Sequence, residues 1–372
     1  MTKILISGYY GFGNFGDEAI LSVITGILKK TDIEIEISVL SNNPKTTRER
    51  YGVNTVERNS PADIFSEIRK CDIFISGGGS LLQDVTGWKT IPYYLGQVLF
   101  AQLLGKKTVF FAQGIGPVKR KTYRFLIKYA LKKADYISVR DNRSRDLLVD
   151  WGLKKDNINL TVDPVFALKK LFDKEDLIAD KTSENQKDRS IIGVSVRPWK
   201  NNDYLEGLAK SLIKLSEDME ADIVIIPFHQ EQDQAISQEL AAIISKENNK
   251  NNFKGEIYFN RPDKPVDLIN IYKRLDIFVG VRLHSLIYSA VCNIPFVGLE
   301  YDPKIRGFME MMSLNSIISL NEFDKDKLYR ITKSVWENKN QFEGILKHRS
   351  SSLERAAIAN FAGIINLVKD TN

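Results

Sequence analysis

The sequence predicts an α/β fold with two doubly wound parallel sheets, followed by a helical C-terminal tail. Short apolar segments alternate with longer amphipathic segments along most of the chain, the pattern of buried parallel strands joined by helices. The alternation stops at a polar stretch and then restarts, which indicates a second domain. With 372 residues, the chain is long enough for two domains that each have a core of their own.

The first half opens on an apolar strand, and the same short pattern recurs along it. The predicted strands are residues 3–7, 34–41, 72–76, 108–112 and 136–139. The predicted helices are residues 17–30, 60–70, 93–104 and 117–133. Ser60 followed by Pro61 is typical of a helix start, because Ser caps free N–H groups and Pro suits the first helical position.

The composition becomes polar and charged at residues 172–190, which predicts an interdomain linker. Beyond it the predicted strands are residues 191–196, 222–227, 256–259, 277–281 and 296–299, separated by helical segments. We therefore expect domains at residues 1–171 and 191–340 and a helical tail at residues 341–372. Two Rossmann-like domains with such a tail are typical of a glycosyltransferase-B-like arrangement, in which ligands bind in the cleft between the domains.

The net charge indicates which kind of partner to expect, and the cysteine content indicates the cellular compartment. The net charge of +6 and the pI near 9.0 favour anionic partners. The first residues do not have the pattern of a signal peptide, and no segment is apolar enough to span a membrane, so we expect a cytoplasmic protein. Cys71 and Cys292 stand far apart without C-x-x-C spacing, as expected of core cysteines in a reducing compartment.

The positive charge is concentrated in the predicted helix at residues 117–133. Seven Lys and Arg residues alternate there with aromatic and aliphatic side chains, and the segment contains no Asp or Glu. A solvated helix face explains this pattern, and so does peripheral contact with the cytoplasmic leaflet of a membrane. No nucleic-acid-binding module accompanies the charge, so we expect no nucleic-acid partner.

The loop after the first strand contains glycines at positions 8, 11, 13 and 16, which suggests an anion or substrate site at a strand-to-helix turn. Gly11, Gly13 and Gly16 satisfy the G-x-G-x-x-G pattern of dinucleotide sites. That pattern also needs an acidic residue after the second strand, where this chain has Ser41, Asn42 and Asn43. We therefore predict no nicotinamide site. The chain has no P-loop pattern and no His or carboxylate cluster with metal-ligand spacing, so we expect no metal and no cofactor.

Several other strand ends carry unusual loops. They are residues 76–84, 113–117 and 138–144 in the first half, and residues 197–199, 227–229, 281–284 and 300–306 in the second. His284 is the sharpest candidate among them. A lone histidine is commonly a hydrogen-bonded core residue, but Arg282 precedes this one, and Lys304 and Arg306 follow the next strand. This combination favours a functional site.

Taken together, the segments GYYGFGNFGDEAIL, ISGGGSLLQD, QGIGP, SVRD, VDP, GVRLHSL and EYDPKIRGF resemble the polysaccharide pyruvyl transferase family. The similarity is strongest to the bacterial enzymes that modify secondary cell-wall polysaccharide for S-layer anchoring. The resemblance implies a glycosyltransferase-B-like fold and transfer of pyruvate from phosphoenolpyruvate to a sugar as a cyclic ketal. It also implies a lipid-diphosphate-linked acceptor whose N-acetylmannosamine receives a 4,6-linked pyruvate.

The resemblance gives Arg140, His284 and Lys304 roles in donor binding and catalysis, with Arg124 and Arg143 as neighbouring rivals of Arg140. Phosphoenolpyruvate carries a carboxylate and a phosphate, so its site needs several cations, and Arg282 and Arg306 are further candidates. A histidine that titrates near neutrality suits proton transfer in both directions, which favours His284 as the general acid and base.

The glycine loops of the first domain would then bind the acceptor. The predicted acceptor residues are Tyr9, Tyr10, Gly11, Phe12, Asn14, Asp17, Glu18, Gly78, Gly79, Asp84 and Gln113, with Trp88 as a further stacking candidate and Asp17 or Glu18 as a candidate base. Two alternatives stay open. One is a glycosyltransferase or nucleotide-sugar epimerase, which would release UDP rather than phosphate. The other is a non-catalytic polysaccharide-binding protein, which would show no turnover.

Overall fold

The computed structural model describes residues 1–85, 87–172, 189–251, 255–260 and 262–371. Its contacts divide the chain into two compact units. The first unit comprises residues 1–171 and 353–372, and the second comprises residues 172–352. Of the predicted linker at residues 172–190, residues 173–188 lie outside the described residues. None of the helices within the described ranges combines the length and the apolar character needed to cross a bilayer.

The first unit contains a parallel sheet with helices between its strands. The strands are β1 (Thr2–Ser7), β2 (Ile35–Ser41), β3 (Asn54–Glu57), β4 (Ile73–Ser76), β5 (Gly79–Leu82), β6 (Lys107–Ile115), β7 (Tyr136–Val139) and β8 (Asn159–Leu160). Their order is β3-β2-β1-β4-β6-β7-β8, and β5 pairs with β6. β1 lies at the centre, with Ile4 opposite Ile37 on one side and Ile73 on the other. The strand order reverses between β1 and β4.

The helices of this unit are α1 (Phe15–Lys29), α2 (Pro44–Tyr51), α3 (Pro61–Lys70), α4 (Thr90–Leu103), α5 (Lys121–Lys132) and α6 (Asn142–Asp150), with short 3-10 helices at Lys155–Asn157 and Pro164–Leu171. The predicted start of α3 is confirmed, because the Asp63 N–H donates to the Ser60 hydroxyl at 3.4 Å. The central strands β1, β4 and β6 are mainly apolar and almost continuously buried, since helices cover both faces of a parallel sheet, whereas the outer strands β3 and β8 contain no buried residue.

The second unit repeats this architecture with its own sheet. The strands are β9 (Ser190–Ser195), β10 (Ala221–Ile225), β11 (Ile257–Phe259), β12 (Ile277–Gly280), β13 (Phe296–Glu300) and β14 (Ile317–Ser319), in the order β11-β10-β9-β12-β13-β14. The helices are α7 (Tyr204–Asp218), α8 (Gln234–Asn251), α9 (Pro265–Tyr272), α10 (Leu283–Cys292), α11 (Pro303–Met311), α12 (Lys325–Glu337) and α13 (Lys339–Ala359). All pairings are parallel, and the order reverses between β9 and β12.

The C-terminal segment is helical, as predicted. Helix α13 crosses the boundary between the units at residue 352, and α14 (Phe361–Lys369) packs in the first unit. There the Phe361 ring lies 4.7 Å from the Phe111 ring, and the Tyr136 hydroxyl donates to Asn360 Oδ1 at 2.8 Å. Residues 353–372 are therefore part of the first unit rather than a separate extension.

Candidate functional site

In a doubly wound sheet, ligands bind beyond the carboxyl ends of the strands, where the strand order reverses. In the second unit this point lies between β9 and β12. The loops that follow these strands and their neighbours β10 and β13 bring cationic, imidazole and phenol groups to one edge of the sheet. These groups are Arg197, His229, Arg282, His284, Tyr301 and Lys304.

Arg197 and Lys304 stand beside one aromatic ring. Arg197 Cζ lies 4.2 Å and Lys304 Nζ 5.2 Å from the centroid of Tyr301. Within the described ranges, neither cation has a carboxylate at ion-pair distance, and the buried Nε of Arg197 and Nε1 of Trp199 have no hydrogen-bond partner. Buried donors of this kind require a partner. The two cations leave an uncompensated positive charge beside Tyr301, which favours an anionic ligand.

The pKa of Tyr301 indicates that the electrostatic potential at this position is positive. Burial raises the pKa of its phenol, but Lys304 and Arg197 outweigh burial and hold the pKa below its ordinary value. Trp199 packs against the same ring with an edge contact at 5.5 Å. A positive potential that favours a phenolate favours other anions for the same reason.

Two of the predicted donor-binding cations are already paired. Arg282 Nε and Nη2 donate to the two carboxylate oxygens of Asp233 at 2.9 and 2.5 Å, and Asp233 is fully buried. Arg306 forms a forked pair with Glu300, and more than half of its side chain is exposed. Their charges are therefore neutralised within the chain. The structure favours Arg197, which the sequence analysis did not assign, over Arg282 and Arg306 as a ligand for an anion.

His284 is the second residue of α10, directly beyond β12, and is half-buried. The turn before it is fixed by two hydroxyl groups. Ser285 donates to the Arg282 carbonyl at 2.6 Å, and Ser195 donates to the Ser285 hydroxyl at 3.0 Å. Because Ser195 ends β9, this turn is attached to both strands at the reversal point. His284 thus sits on a rigid support at the candidate site.

His229 follows β10 and is buried, with 3 % of its surface exposed. Its backbone N–H donates to Asp233 Oδ2 at 2.9 Å, and its Nδ1 accepts from the Gln232 N–H at 3.4 Å. Burial, followed by the charge of Arg282, lowers the pKa of its imidazole. His229 is therefore neutral at neutral pH and fixes the loop that carries Asp233.

The lowered pKa of His229 makes the free energy of unfolding depend on pH. Because the folded pKa of His229 lies below the ordinary value of 6.5, the unfolded chain binds the proton first as the pH falls. Its contribution to the free energy of unfolding is complete above pH 6.5 and is lost below it. In urea unfolding followed by tryptophan fluorescence between about pH 7.5 and 5.5, we expect His229→Gln to reduce the acid destabilisation. An unchanged pH slope in this variant would contradict the assignment.

In the first unit, the order reverses between β1 and β4, which are followed by the loops at residues 8–14 and 77–78. Tyr10 fills the space between these loops and is fully buried. A Cβ atom at Gly8 or Gly77 would lie 2.4 or 2.2 Å from the Tyr10 side chain. Glycine at these two positions therefore makes room for Tyr10. The predicted stacking of Tyr10 on a sugar has no exposed ring to support it, and Tyr10 is a packing residue instead.

The carboxylates at the start of α1 also make internal contacts. Glu18 is 2 % exposed, accepts from the Gly11 N–H at 2.8 Å and the Tyr51 hydroxyl at 2.6 Å, and pairs with Arg50 at 3.5 Å. Asp17 is 8 % exposed and accepts from the Asn14 amide at 2.5 Å. Glu18 thus closes the glycine loop onto α1, a structural role that differs from the predicted one as a base.

The exposed part of the same loop is aromatic. The half-buried rings of Tyr9 and Phe12 stack with centroids 4.1 Å apart, and the guanidinium of Arg58 lies 4.7 Å from Phe12 and 4.7 Å from Tyr93. Arg58 also donates to the Gly8 carbonyl at 3.4 Å. Tyr9 and Phe12 therefore form a supported aromatic stack, in which the Phe12 ring lies against both Tyr9 and the Arg58 guanidinium.

Arg140 follows β7 and is buried in a polar cluster. Its Nη1 lies 2.5 Å from Asp163 Oδ2, and its Nη2 donates to the Ser80 hydroxyl at 3.0 Å. A Cβ atom at Gly114 would lie 3.0 Å from Arg140 Nε, so glycine there admits the guanidinium. Asp163 in turn accepts from the Val165 N–H at 3.1 Å. Arg140 is thereby held against β5, the strand that carries Ser80.

The predicted acceptor residues Gln113, Gly78, Gly79 and Asp84 are buried or have hydrogen-bond partners within the first unit. Gln113 is fully buried, and its Nε2 donates to the Ser76 and Gly77 carbonyls at 3.0 and 2.6 Å, so it fixes the triple-glycine loop from below. Gly78 and Gly79 are also buried, and Gly79 adopts φ 93°. Burial opposes ionisation of the half-buried Asp84, but the N–H groups of Lys119 and Arg120 outweigh it and lower its pKa. Gln113 and Asp84 thus have structural partners within the unit.

The three predicted catalytic residues, Arg140, His284 and Lys304, do not all belong to one unit. Arg140 belongs to the first unit, whereas His284 and Lys304 lie together on adjacent loops of the second. Three residues at these edges had no individual role predicted from the sequence: Arg58, Asp163 and Arg197. Arg197 follows the first strand of its domain and Asp163 lies in the VDP segment, so their loop positions were detectable. Arg58 has no comparable signal.

The two doubly wound sheets and the functional groups at their reversal points define a glycosyltransferase-B-like α/β protein. The family model of polysaccharide pyruvyl transferases matches residues 14–303. The chain therefore belongs to the polysaccharide pyruvyl transferase family, and both the fold class and the family predicted from the sequence are confirmed.

Several solved structures share this fold. The chain is similar to UDP-GlcNAc 2-epimerase from Methanocaldococcus jannaschii, with 15 % identity, coverage of 93 % of this chain and 99 % of that one, and a TM-score of 0.65. It is also similar to S. aureus MnaA with UDP, with 14 % identity, coverage of 99 % of this chain and 96 % of that one, and a TM-score of 0.66. For Anabaena HepE with UDP-glucose the identity is 11 %, the coverage is 100 % of both chains, and the TM-score is 0.63. At these identities the likeness establishes the fold alone. A comparison with curated proteins finds no match.

Proposed function

We propose that the protein transfers the pyruvyl group of phosphoenolpyruvate to a sugar as a cyclic ketal and releases phosphate. Membership of the pyruvyl transferase family supports the reaction class. The observation that carries the donor assignment is the pair of uncompensated cations beside Tyr301. Phosphoenolpyruvate has a carboxylate and a phosphate on one small carbon frame. Arg197 suits forked binding of one of these groups, and Lys304 suits the other as a point charge.

The reaction needs proton transfer at carbon and at oxygen. A proton added to the methylene carbon makes the neighbouring carbon electrophilic, and the first sugar hydroxyl adds there. The second hydroxyl then displaces phosphate by cleavage of the C–O bond, which closes the ketal. Of the two hydroxyl protons released, one balances the proton on the new methyl group and the other leaves with phosphate. We assign this proton transfer to His284, because its half-buried ring is held at the reversal point of the second sheet.

We assign the acceptor to the glycine loop of the first unit. The stacked pair of Tyr9 and Phe12 offers aromatic surface, and the half-buried Asn14 of the same loop caps α1 with its amide oxygen and donates to Asp17. The family resemblance also implies a role in donor binding for Arg140, although Asp163 already pairs with its guanidinium, as Asp233 does with that of Arg282. We further propose, from the same resemblance, that the acceptor is a lipid-diphosphate-linked saccharide whose β-linked N-acetylmannosamine takes a 4,6-ketal, in the cytoplasm.

The test is incubation of the purified protein with phosphoenolpyruvate and a lipid-diphosphate ManNAc-GlcNAc acceptor, with mass analysis of the acceptor and a phosphate assay. We expect a mass gain of one pyruvyl ketal and one phosphate released per acceptor modified. A parallel incubation with UDP-GlcNAc should release no UDP. UDP release without ketal formation would replace the proposal with nucleotide-sugar chemistry, and binding without any turnover would indicate a polysaccharide-binding protein.

A matched pair of arginines tests the donor site. Arg197→Gln removes an uncompensated cation, and we expect the KM for phosphoenolpyruvate to rise by about 10- to 100-fold, the effect of losing a hydrogen bond to a charged group. Arg306→Gln removes the same charge from an exposed, already paired guanidinium, and the KM should change less than about twofold. Steady-state kinetics with varied phosphoenolpyruvate measure both. Equal effects of the two substitutions would contradict the donor assignment.

A further inference from the structure

The first unit carries an exposed patch that is both aromatic and cationic, which we call the basic-aromatic surface. Its apolar members are Trp88, Phe125, Leu126 and Tyr129, and its cations are Lys89, Lys119, Arg120, Lys121, Arg124, Lys132 and Lys133. It consists of helix α5, the segment before it, and the loop that contains Trp88. Trp88 and Arg124 were candidates for the acceptor and donor sites from the sequence, and the N–H groups of Lys119 and Arg120 bind Asp84; the side chains of the other members have no role in the sites described above.

Helix α5 is apolar on two sides. Ile127, Ala130 and Leu131 face the core and are buried. On the outer side, Phe125 is 67 % exposed and Tyr129 is 44 % exposed, one helical turn apart. Trp88, in the neighbouring loop, is 58 % exposed. Core packing explains the inner residues, whereas the three outer rings leave much of their apolar surface exposed to water.

The loop and the helix form one supported surface. The Tyr123 hydroxyl donates to the Trp88 carbonyl at 2.9 Å, and Arg120 donates to the same hydroxyl at 3.1 Å. Cations lie over the rings, with Lys133 4.4 Å from Tyr129 and Lys89 5.3 Å from Trp88. An amphipathic aromatic ring beside a cation is the combination that is stable at the boundary between acyl chains and headgroups.

The positive charge at the start of α5 is unfavourable for the helix itself. The N-terminus of a helix favours acidic residues, because its free N–H groups carry partial positive charge. Here Lys119, Arg120 and Lys121 occupy that position, the first turn has no acidic residue, and Arg120 gives no side-chain cap. The Asp84 carboxylate accepts from the Lys119 and Arg120 N–H groups and offsets part of this charge. The remaining excess favours binding of a phosphate-bearing partner over stability of the isolated helix.

We propose that the basic-aromatic surface docks on an anionic lipid bilayer. Phe125, Tyr129 and Trp88 enter the headgroup boundary, and the surrounding lysines and arginines bind lipid phosphates. The three exposed rings favour a bilayer over an acidic protein, which would need the cations alone. A nucleic acid is disfavoured because no nucleic-acid-binding module accompanies the charge. The proposal depends on the exposed surface alone and not on the pyruvyl transfer reaction.

The test is co-sedimentation of the full chain with vesicles of phosphatidylcholine, with and without phosphatidylglycerol. We expect binding that needs the anionic lipid and weakens as salt rises. Lys119→Gln/Arg120→Gln/Lys121→Gln should weaken the partition coefficient by about 100-fold, from roughly fivefold for each charge. Phe125→Ser should weaken it by about tenfold, because its ring leaves the apolar boundary.

A matched control removes three exposed cations elsewhere in the same unit, as Lys45→Gln/Lys154→Gln/Lys155→Gln. It should bind vesicles within about twofold of the unmodified chain. Equal loss in the control, undiminished binding by Phe125→Ser, or equal binding to neutral vesicles would each overturn the proposal. So would tighter binding to a single-stranded oligonucleotide or to polyglutamate than to the anionic vesicles. Circular dichroism of every variant confirms that the substitutions leave the fold intact.

Discussion

Replacing His284 by glutamine is expected to lower the kcat of pyruvyl transfer by about 10²- to 10⁴-fold, the range typical of a lost general acid and base. Glutamine keeps a polar group at the second position of α10 but cannot exchange a proton near neutral pH. The KM for phosphoenolpyruvate should change far less, because Arg197 and Lys304 remain beside Tyr301. Stopped assays of phosphate release at saturating donor and acceptor measure the kcat.

The chain supplies its own control in His348, an exposed histidine on α13 outside the candidate site. His348→Gln should leave both constants unchanged. If His284→Gln retained more than about a tenth of the kcat, proton transfer would have to be assigned to another group. Tyr301 would then be the first residue to test, since the cations around it already lower the pKa of its phenol.

Replacing Asp163 by alanine is expected to destabilise the first unit by about 3–5 kcal/mol, because it leaves the buried guanidinium of Arg140 without its counter-charge. Arg140 and Asp163 are 7 % and 3 % exposed, so water cannot replace the lost carboxylate. The Val165 N–H also loses its acceptor. Urea unfolding followed by circular dichroism measures the change in the free energy of unfolding.

Two further variants separate this effect from a general loss of packing. Arg140→Met/Asp163→Leu removes both charges and should recover most of the stability, since well-packed apolar residues commonly replace a buried pair. Asp146→Ala removes the exposed partner of Arg145 and should have almost no effect. A destabilisation by Asp163→Ala similar to that by Asp146→Ala would show that the buried pair does not hold Arg140 in place.

The regular part of the fold was predictable from local pattern. Continuous apolar runs marked the central strands, and Ser60-Pro61 marked the start of α3. The short strands β3, β8 and β14 were not predicted, because each has too few residues to show a pattern of its own and is fixed by pairing with a neighbour. Residues 353–372 read as a tail because their partners, such as Tyr136, lie far away in sequence.

In the candidate site, too, local sequence pattern predicted some features, and others depended on tertiary contacts. Position beyond a strand end identified His284 and Lys304, because parallel strands carry their carboxyl ends to one edge of the sheet. Charge type alone did not distinguish Arg197 from Arg282 and Arg306. That distinction depends on whether a carboxylate, Asp233 or Glu300, lies within reach of each guanidinium.

Strand periodicity, glycine turns and motif order are local properties, and they were enough to predict the two doubly wound sheets, the family and the candidate loops. Which side chains in those loops are available to a ligand depends on the tertiary structure. It turned Tyr10, Glu18 and Gln113 into supports of the glycine loops and left Tyr9, Phe12, Arg197 and Lys304 accessible or uncompensated. Burial and charge pairing arise between residues distant in the chain, so no local pattern encodes them.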